Sequence, residues 1–442
     1  MFVRLILSVH IILIPLLASL SYTYYYINYL SNDFHYHQPF NSRDIARLSK
    51  DKVILITGAN AGLGKATVKL LAQAGEASVV IMACRDMNKC ENARADIFND
   101  ILNDLNSNSN NDVGNSNIDV NSINNHRSDD DGQLKLKLQQ PKLIPLQVDL
   151  ASLESIQELA HNLQQYDHGY GYEYEYDGIN ITGAGTAGTG TKVDIVINNA
   201  GIMAVPYQLA RDSKVEMQMH VNHLAHFALL SLLAKHSLLS NDGARIVNVS
   251  SLAGSFPFLN LNDVNFEHGF RATFRRYFGT LQSIISYGAS KRANLIFTHA
   301  LNDRDHPHHP FSKCANVNMN ITAVVAHPGY SRTSLMYNGW AFAPLFVKRF
   351  FGTNRLGSMS SEEGAMSQLR AALDIDHVPA NSYVGPLYFT TGRPVVVGNS
   401  MKSFHHLFWS FKDADVRKIA ADLWKFSEDS IGGLKFQDDC SL

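Results

Sequence analysis

The sequence predicts an α/β fold built on a doubly wound parallel sheet, and three observations carry the prediction. Short apolar runs rich in β-branched residues recur at 53–56, 77–83, 142–148, 193–197, 244–249 and 322–326. Helix-forming stretches lie between them, as parallel strands require, because a parallel pair cannot be joined by a tight turn. The first run passes directly into Thr57-Gly-Ala-Asn-Ala-Gly-Leu-Gly64, and then into helix formers 65–74 stopped by Gly75. Strand, glycine turn and helix in that order make a seat for a pyrophosphate. Glycine lets the backbone turn tightly and approach the anion, and the helix supplies free N–H groups and the positive end of its dipole. The expected architecture is therefore a Rossmann-type sheet in a single catalytic domain, 51–442.

The second strand, 77–83, ends at Cys84-Arg85-Asp86, where this fold meets the adenosine ribose. An acid there accepts hydrogen bonds from a 2′-hydroxyl, whereas an arginine pairs with a 2′-phosphate, so Arg85 predicts NADP in preference to NAD. Asp86 follows directly and blunts the preference, which leaves NAD open. Between Asn99 and Asn125 there are eleven asparagines, followed by Asp129-Asp-Asp131. Such a stretch offers too little apolar surface to offset its ordering entropy, and 99–133 is expected to be a disordered insertion. The third strand, 142–148, leads to Asp149, and Ser152 is expected to cap the next helix with Ser155 three residues on. A second insertion, 166–192, is Tyr/Gly/Glu-rich and then Gly/Thr-rich; it is expected to be a flexible loop. Its Gly183-Ala-Gly-Thr-Ala-Gly188 precedes a strand rather than a helix, so it is not a second nucleotide loop. A helical stretch over 215–233 follows the fourth strand, and a later helix begins near Tyr287.

Ahead of the domain, residues 2–30 carry a single charge, Arg4, and an apolar run long enough to span a bilayer, trailed by Tyr22, Tyr24, Tyr25, Tyr26 and Tyr29. An uncleaved anchor over 1–30 is favoured, because the run outlasts the ~7–15 residues of a signal-peptide core. Ala18-Ser-Leu20 keeps a cleaved signal peptide open. Residues 31–50 read as a polar linker whose Arg43, Arg47, Lys50 and Lys52 lean towards a cytosolic catalytic domain. The net charge of −2 gives no footprint for nucleic acid. Cys84, Cys90, Cys314 and Cys440 form no Cys-x-x-Cys pair, which predicts a reducing compartment without disulfides or structural zinc.

The chemistry is expected at Tyr287-Gly-Ala-Ser-Lys291. The i, i+4 spacing sets a phenol and an ammonium on one helix face, and the cation is expected to draw the tyrosine pKa down from ~10. Ser251, at the carboxyl end of the fifth strand, can donate to a substrate oxygen beside Tyr287. The histidines at 220, 223 and 226 are expected to be helix surface or packing, and His306-Pro-His-His309 a polar loop, so no metal is expected.

These residues give the chain its resemblance to the short-chain dehydrogenase/reductase family: Thr-Gly-x-x-x-Gly-x-Gly, Asn198-Asn-Ala-Gly201, Ser250-Ser251 and Tyr-x-x-x-Lys. Ala83-Cys-Arg85, Asn198-Asn-Ala-Gly-Ile-Met203, Val221-Asn-His-Leu224, His327-Pro-Gly329 and Leu423-Trp-Lys-Phe-Ser427 resemble its retinol dehydrogenase-like branch. The resemblance implies hydride transfer between a nicotinamide nucleotide and a lipophilic alcohol or carbonyl, retinoid-, polyprenol- or steroid-like. A non-catalytic nucleotide-binding scaffold is the alternative. It implies Ser251, Tyr287, Lys291 and Asn222 as the proton relay, and Gly58, Asn60, Gly62, Leu63, Gly64, Arg85, Asp149, Asn199, Ala200, Gly201, Tyr287, Lys291, Pro328, Gly329 and Thr333 as the nucleotide site. It also implies an apolar lid at 330–360 over a substrate arriving from a membrane. Single-pass residence in the endoplasmic reticulum accords with it, and so does a homodimer.

Overall fold

The computed structural model describes residues 39–112, 142–166, 173–176, 179–182, 192–255, 258–277, 279–303, 321–331, 358–388, 390–399 and 413–432. Helix α1 (Ser42–Ser49) opens on a capping box, Asn41 with Asp44, and leads into strand β1 (Val53–Thr57), buried along its whole length. Then follow α2 (Gly62–Ala74), β2 (Val79–Cys84), α3 (Met87–Asp112), β3 (Lys142–Gln147) and α4 (Leu153–Tyr166). A hairpin of β4 (Glu173–Tyr176) and β5 (Ile179–Thr182) precedes β6 (Ile195–Asn198). Helix α5 is not uniform: it is α-helical at Met217–Met219, π-helical at His220–Leu224 and α-helical again at Ala225–Lys235. The remaining elements are β7 (Ala244–Val249), α6 (Gly269–Tyr277), α7 (Gly279–Asn302), β8 (Ile321–Ala326), α8 (Ser361–Leu373), β9 (Ser382–Pro386), β10 (Pro394–Asn399) and α9 (Asp413–Ser430).

Eight strands form one sheet in the order β10-β9-β8-β7-β6-β1-β2-β3. All neighbours are parallel except β9 and β10. Alternate side chains of each strand enter opposite cores: Leu55, Ile81, Ile246 and Ala323 on one face, Ile54, Ile56, Met82 and Val247 on the other. Helices α4, α5, α7 and α9 cover the first face; α1, α2, α3 and α8 cover the second. The chain winds outward from β1 to β3 and returns to β6 on the other side of β1. That reversal opens a crevice at the carboxyl ends of β1 and β6, where ligands bind in such sheets.

Five expectations need correction. The sheet is not wholly parallel, because β9 and β10 add an antiparallel pair at one edge. Helix α7 starts at Gly279, eight residues before Tyr287, so the tyrosine sits mid-helix. The asparagine-rich stretch is not disordered from Asn99, since α3 runs on to Asp112. Ile97 and Ile101 stay buried on one side of that helix. Lys65–Asp96 (2.6 Å), Lys69–Asp100 (2.7 Å) and Gln73–Asp104 (3.1 Å) tie it to α2. The front of the second insertion pairs as a hairpin, Glu173 opposite Thr182 and Tyr176 opposite Ile179, about the sequence Asp177-Gly178. Cys84 and Cys90 are joined in a disulfide, because the strand-to-helix turn folds the first turn of α3 back under the end of β2.

The anchor expected at 1–30, the segments 113–141 and 183–191, the histidines at 306–309 and Thr333 lie outside the described residues. Among the described residues no helix is long and apolar enough to cross a membrane.

Candidate active site

The glycine turn closes tightly on the loop after β6. Gly58 sits at φ +67°, a left-handed conformation, and a Cβ there would stand 3.0 Å from Ala200 Cα. At Gly64 a Cβ would meet the Gly58 carbonyl oxygen at 2.2 Å and Asn199 Nδ2 at 2.7 Å. Asn199 Nδ2 donates to the Thr57 carbonyl at 2.8 Å, which locks the loop to the end of β1. The N-cap residue of α2 is Ala61, which offers no side-chain acceptor, and the first turn holds no acid. Its leading N–H groups and its positive end therefore stand at the crevice with no acid in their own turn, and Asn60, Gly62 and Leu63 are half-buried around them. That is a backbone seat for a phosphate, and a nucleotide pyrophosphate fits it.

Further along the same edge, Arg85 is exposed beyond β2, and its carbonyl accepts from Gln147 Nε2 at 3.4 Å. Asp86 is engaged elsewhere: its carboxylate accepts from the Lys89 backbone N–H at 3.1 Å in the first turn of α3. Asp149 accepts from the Ala151 N–H at 3.0 Å, and its own N–H donates to Ser155 Oγ at 3.0 Å. Ser152 Oγ accepts from the Ser155 N–H at 3.3 Å, the capping expected from those two serines.

On the other side of the crevice, β7 ends at Ser250 and Ser251. Ser250 Oγ donates to the Lys291 carbonyl at 2.8 Å and is buried, whereas Ser251 is half-buried and hydrogen-bonds Tyr287. Lys291 Nζ donates to the Val249 carbonyl at 2.9 Å and lies 5.9 Å from the centroid of the Tyr287 ring. Burial lowers the lysine pKa to about 8. It pushes the Tyr287 phenol above its ordinary value, opposed by the hydrogen bond from Ser251. This corrects the expectation of a lowered tyrosine: removal of the phenolate from water outweighs a cation that is held on a strand carbonyl. Gly201 lies against the pair, since a Cβ there would be 3.4 Å from Lys291 Nζ and 3.1 Å from Asn222 Oδ1.

Asn222, in the π-helical turn, holds both backbone groups of Ile202, accepting its N–H at 2.8 Å and donating to its carbonyl at 3.0 Å. It also donates to Ser290 Oγ at 2.8 Å, which in turn donates to the Tyr287 carbonyl at 2.8 Å. Sequence reasoning did not single out Ser290, although it stands inside Tyr287-Gly-Ala-Ser-Lys291. The three histidines of α5 are packed inside: His220 on Ser213, His223 on Ser427 and His226 on Thr57, each within 2.9 Å. His223 meets the C-terminal motif, whose Trp424 also packs on Phe227 and Phe297. Pro328 and Gly329 turn at the end of β8, where the Gly329 N–H donates to His327 Nδ1 at 3.1 Å. The ends of the expected lid are pinned together, because Ser331 bridges Met359 and the Met359 N–H donates to the Tyr330 carbonyl at 2.9 Å.

A family model described as short chain dehydrogenase matches residues 180–262, which include Asn198–Gly201, Asn222 and Ser251. Retinol dehydrogenase 14 of Homo sapiens is 30% identical over 317 residues, covering 69% of this chain and 68% of that protein. The chain belongs to the short-chain dehydrogenase/reductase family. Within it the chain is retinol dehydrogenase-like. Retinol dehydrogenase 14 of Mus musculus is 31% identical over 288 residues, covering 65% of this chain and 64% of that protein, so the chain spans slightly under two thirds of that relative. An uncharacterized protein from Mycobacterium paratuberculosis shares the fold of this short-chain dehydrogenase/reductase at TM-score 0.52 and 28% identity, over 89% of this chain and 98% of the other.

Proposed function

We propose that the protein is an oxidoreductase that interconverts a lipophilic alcohol and its carbonyl with a nicotinamide nucleotide, NADP(H) in preference to NAD(H). The observation that carries the reading is Ser251 hydrogen-bonded to Tyr287, with Lys291 one helical turn on, beside the backbone phosphate seat. The glycine turn, Asn199, Ala200 and Gly201 hold the nucleotide, with Arg85 at a 2′-phosphate and Asp149 at the adenine. Pro328 and Gly329 complete the nucleotide site, together with Thr333, which lies outside the described residues. When bound, the nucleotide supplies or accepts the hydride. Ser251 donates to the substrate oxygen and holds it at the Tyr287 hydroxyl, which passes the proton to it or takes it back. Lys291 supplies positive charge behind the phenol, and Asn222 fixes the turn against which that lysine lies.

The names of the retinol dehydrogenases support a retinoid or similar lipid as substrate. The apolar sequence Trp340-Ala-Phe-Ala-Pro-Leu-Phe-Val347, which lies outside the described residues, supports a lid over it. In this reading residues 1–30, outside the described residues, anchor the chain in the endoplasmic reticulum membrane. The test is a panel of retinoid, polyprenol, steroid and fatty aldehyde substrates with both nucleotides, on membranes carrying the full chain or its Tyr287→Phe variant. Turnover dependent on Tyr287 is expected. No turnover of any member would leave the scaffold reading standing.

A further inference from the structure

His226 lies four residues beyond Asn222 on α5 and is 1% exposed. Both ring nitrogens have partners: Nδ1 is 3.1 Å from the Asn222 carbonyl oxygen, and Nε2 is 2.9 Å from Thr57 Oγ1. Thr57 Oγ1 also receives the N–H of Asn199 at 3.0 Å and of Ala200 at 2.9 Å. A hydroxyl has two lone pairs and one proton, so the two amides occupy its acceptor side and the proton must go elsewhere. The choices are His226 Nε2 at 2.9 Å and the Ile197 carbonyl at 3.5 Å, and the shorter bond takes it. His226 Nε2 is then an acceptor, Nδ1 carries the ring proton, and that proton points at the Asn222 carbonyl. A protonated ring would set N–H against O–H at Thr57, and burial holds the ring pKa down at about 4.

The bonds run in one direction, from the amides of the Asn-Asn-Ala-Gly loop through Thr57 and His226 to the backbone of Asn222. From there the Asn222 side chain continues to Ile202 and, through Ser290, to Tyr287. The Asn222 carbonyl belongs to a π-helical turn, a rare geometry found mostly as single turns inside α-helices and frequent at functional sites.

We propose that His226 is a positioning residue, a neutral Nδ1–H imidazole that sets the nucleotide-side loop and the Asn222 turn in one fixed register. It touches neither substrate nor nucleotide and acts through Thr57 and Asn222. The inference rests on the oxidoreductase reading for its kinetic consequence, but the tautomer does not depend on that reading.

The test uses the full chain in detergent, with three variants at the histidine. His226→Phe fills the volume without nitrogen. In His226→Gln an amide reaches the Nε2 position and keeps the link to Thr57, while in His226→Asn an amide reaches Nδ1 and keeps the link to Asn222. A displaced reacting geometry costs on the order of 10- to 100-fold in rate. His226→Phe is expected to lose that much kcat with its melting temperature near wild type, and His226→Gln to recover nucleotide affinity. Because His226 acts in part through Thr57, Thr57→Val combined with His226→Phe should lose clearly less than the two single losses combined. In [15N]histidine-labelled protein, the signal missing from the His226→Phe spectrum should show the Nδ1–H pattern, unchanged from pH 5.5 to 8. Wild-type kcat in His226→Phe, independent losses in the double variant, or an Nε2–H pattern would overturn the assignment. If His226→Phe does not fold, the Gln and Asn variants supply the missing signal and the same comparison. Absence of turnover in the wild-type chain would remove the oxidoreductase reading; the tautomer and the nucleotide affinities of the variants would still decide whether His226 sets the loop.

Discussion

Burial acts on Tyr287 and Lys291 in opposite senses, raising the acid and lowering the base to about 8. Below pH 8 the site therefore holds a neutral phenol beside an ammonium, the state that can give a proton to a carbonyl oxygen. For carbonyl reduction, kcat/KM should be level around neutrality and fall above pH 8 as Lys291 loses its charge, since that ratio reports groups of the free protein. Lys291→Met should remove that fall together with most of the activity; a limb that persists in the variant would assign it to another group. Tyr287→Phe removes one hydroxyl and should cost roughly 10²- to 10⁴-fold in turnover with nucleotide affinity retained, measured by fluorescence titration beside initial rates. At the other end of the crevice, Arg85→Asp should weaken NADP(H) far more than NAD(H), because it sets a carboxylate where a 2′-phosphate would lie; equal weakening would remove Arg85 from that role. Tyr287, Lys291 and Ser251 were legible because four-residue spacing on a helix and a strand terminus fix where such side chains go. The Thr57–His226 bond was not, since it joins residues 169 apart and depends on which ring nitrogen carries the proton.

Helix α3 shows how composition misleads at the scale of an element. Asparagine is a poor helix former, and eleven of them suggested disorder, yet the side facing the sheet keeps Ile97 and Ile101 buried. The facing helix supplies partners at a constant separation of 31 residues, Lys65, Lys69 and Gln73 to Asp96, Asp100 and Asp104. Tertiary packing overrode propensity, and no local signal reports a partner 31 residues away. The two kinds of contact differ in weight. Ile97→Ala empties a buried site and should cost about 2–5 kcal/mol. Asp100→Asn breaks a solvent-screened pair and should cost no more than about 1 kcal/mol. Urea unfolding of both variants checks the ranking, and the reverse order would mean that the ladder, not the core, holds α3. The hairpin of β4 and β5 was legible in principle, because Glu-Tyr-Glu-Tyr and Ile-Asn-Ile-Thr alternate about Asp177-Gly178, a strong turn signal. The glycine-rich run behind it concealed the pattern. The antiparallel edge was less legible: β9 reads Ser-Tyr-Val-Gly-Pro, in which glycine and proline signal a turn rather than a strand.

For the molecule as a whole, the parallel order and the two cores followed from buried strands alternating with helices, and the interior those cores create has a consequence for stability. Four histidines are enclosed with their pKa values lowered by burial: His223 and His327 to about 3, His226 to about 4, and His220 in the same direction, against 6.5 in the unfolded chain. From pH 6.5 down to about 4.5 the unfolded chain takes up these protons while burial keeps the folded rings neutral, so stability falls as the pH falls. Glu216 works the other way. Burial raises it from 4.5 to about 7 against the N–H groups of Gln218 and Met219, so in the same window the folded chain holds a proton that the unfolded chain lacks. Near pH 5.5, His223, His226, His327 and Glu216 together leave about two protons taken up on unfolding, or roughly 2.7 kcal/mol lost per pH unit, and His220 adds in the same direction. Against the ~5–15 kcal/mol of an ordinary domain, two pH units are enough to bring the fold near its limit. Urea midpoints at pH 5.0, 5.5, 6.0 and 6.5 should therefore drop steeply on the acid side. In Glu216→Gln the offsetting proton is gone, and the slope should steepen by about one proton, whatever the substitution does to the midpoint at any single pH. A wild-type profile flat across this range would mean that the histidines are not enclosed as neutral rings. An unchanged slope in the variant would mean that Glu216 is ionised in the fold.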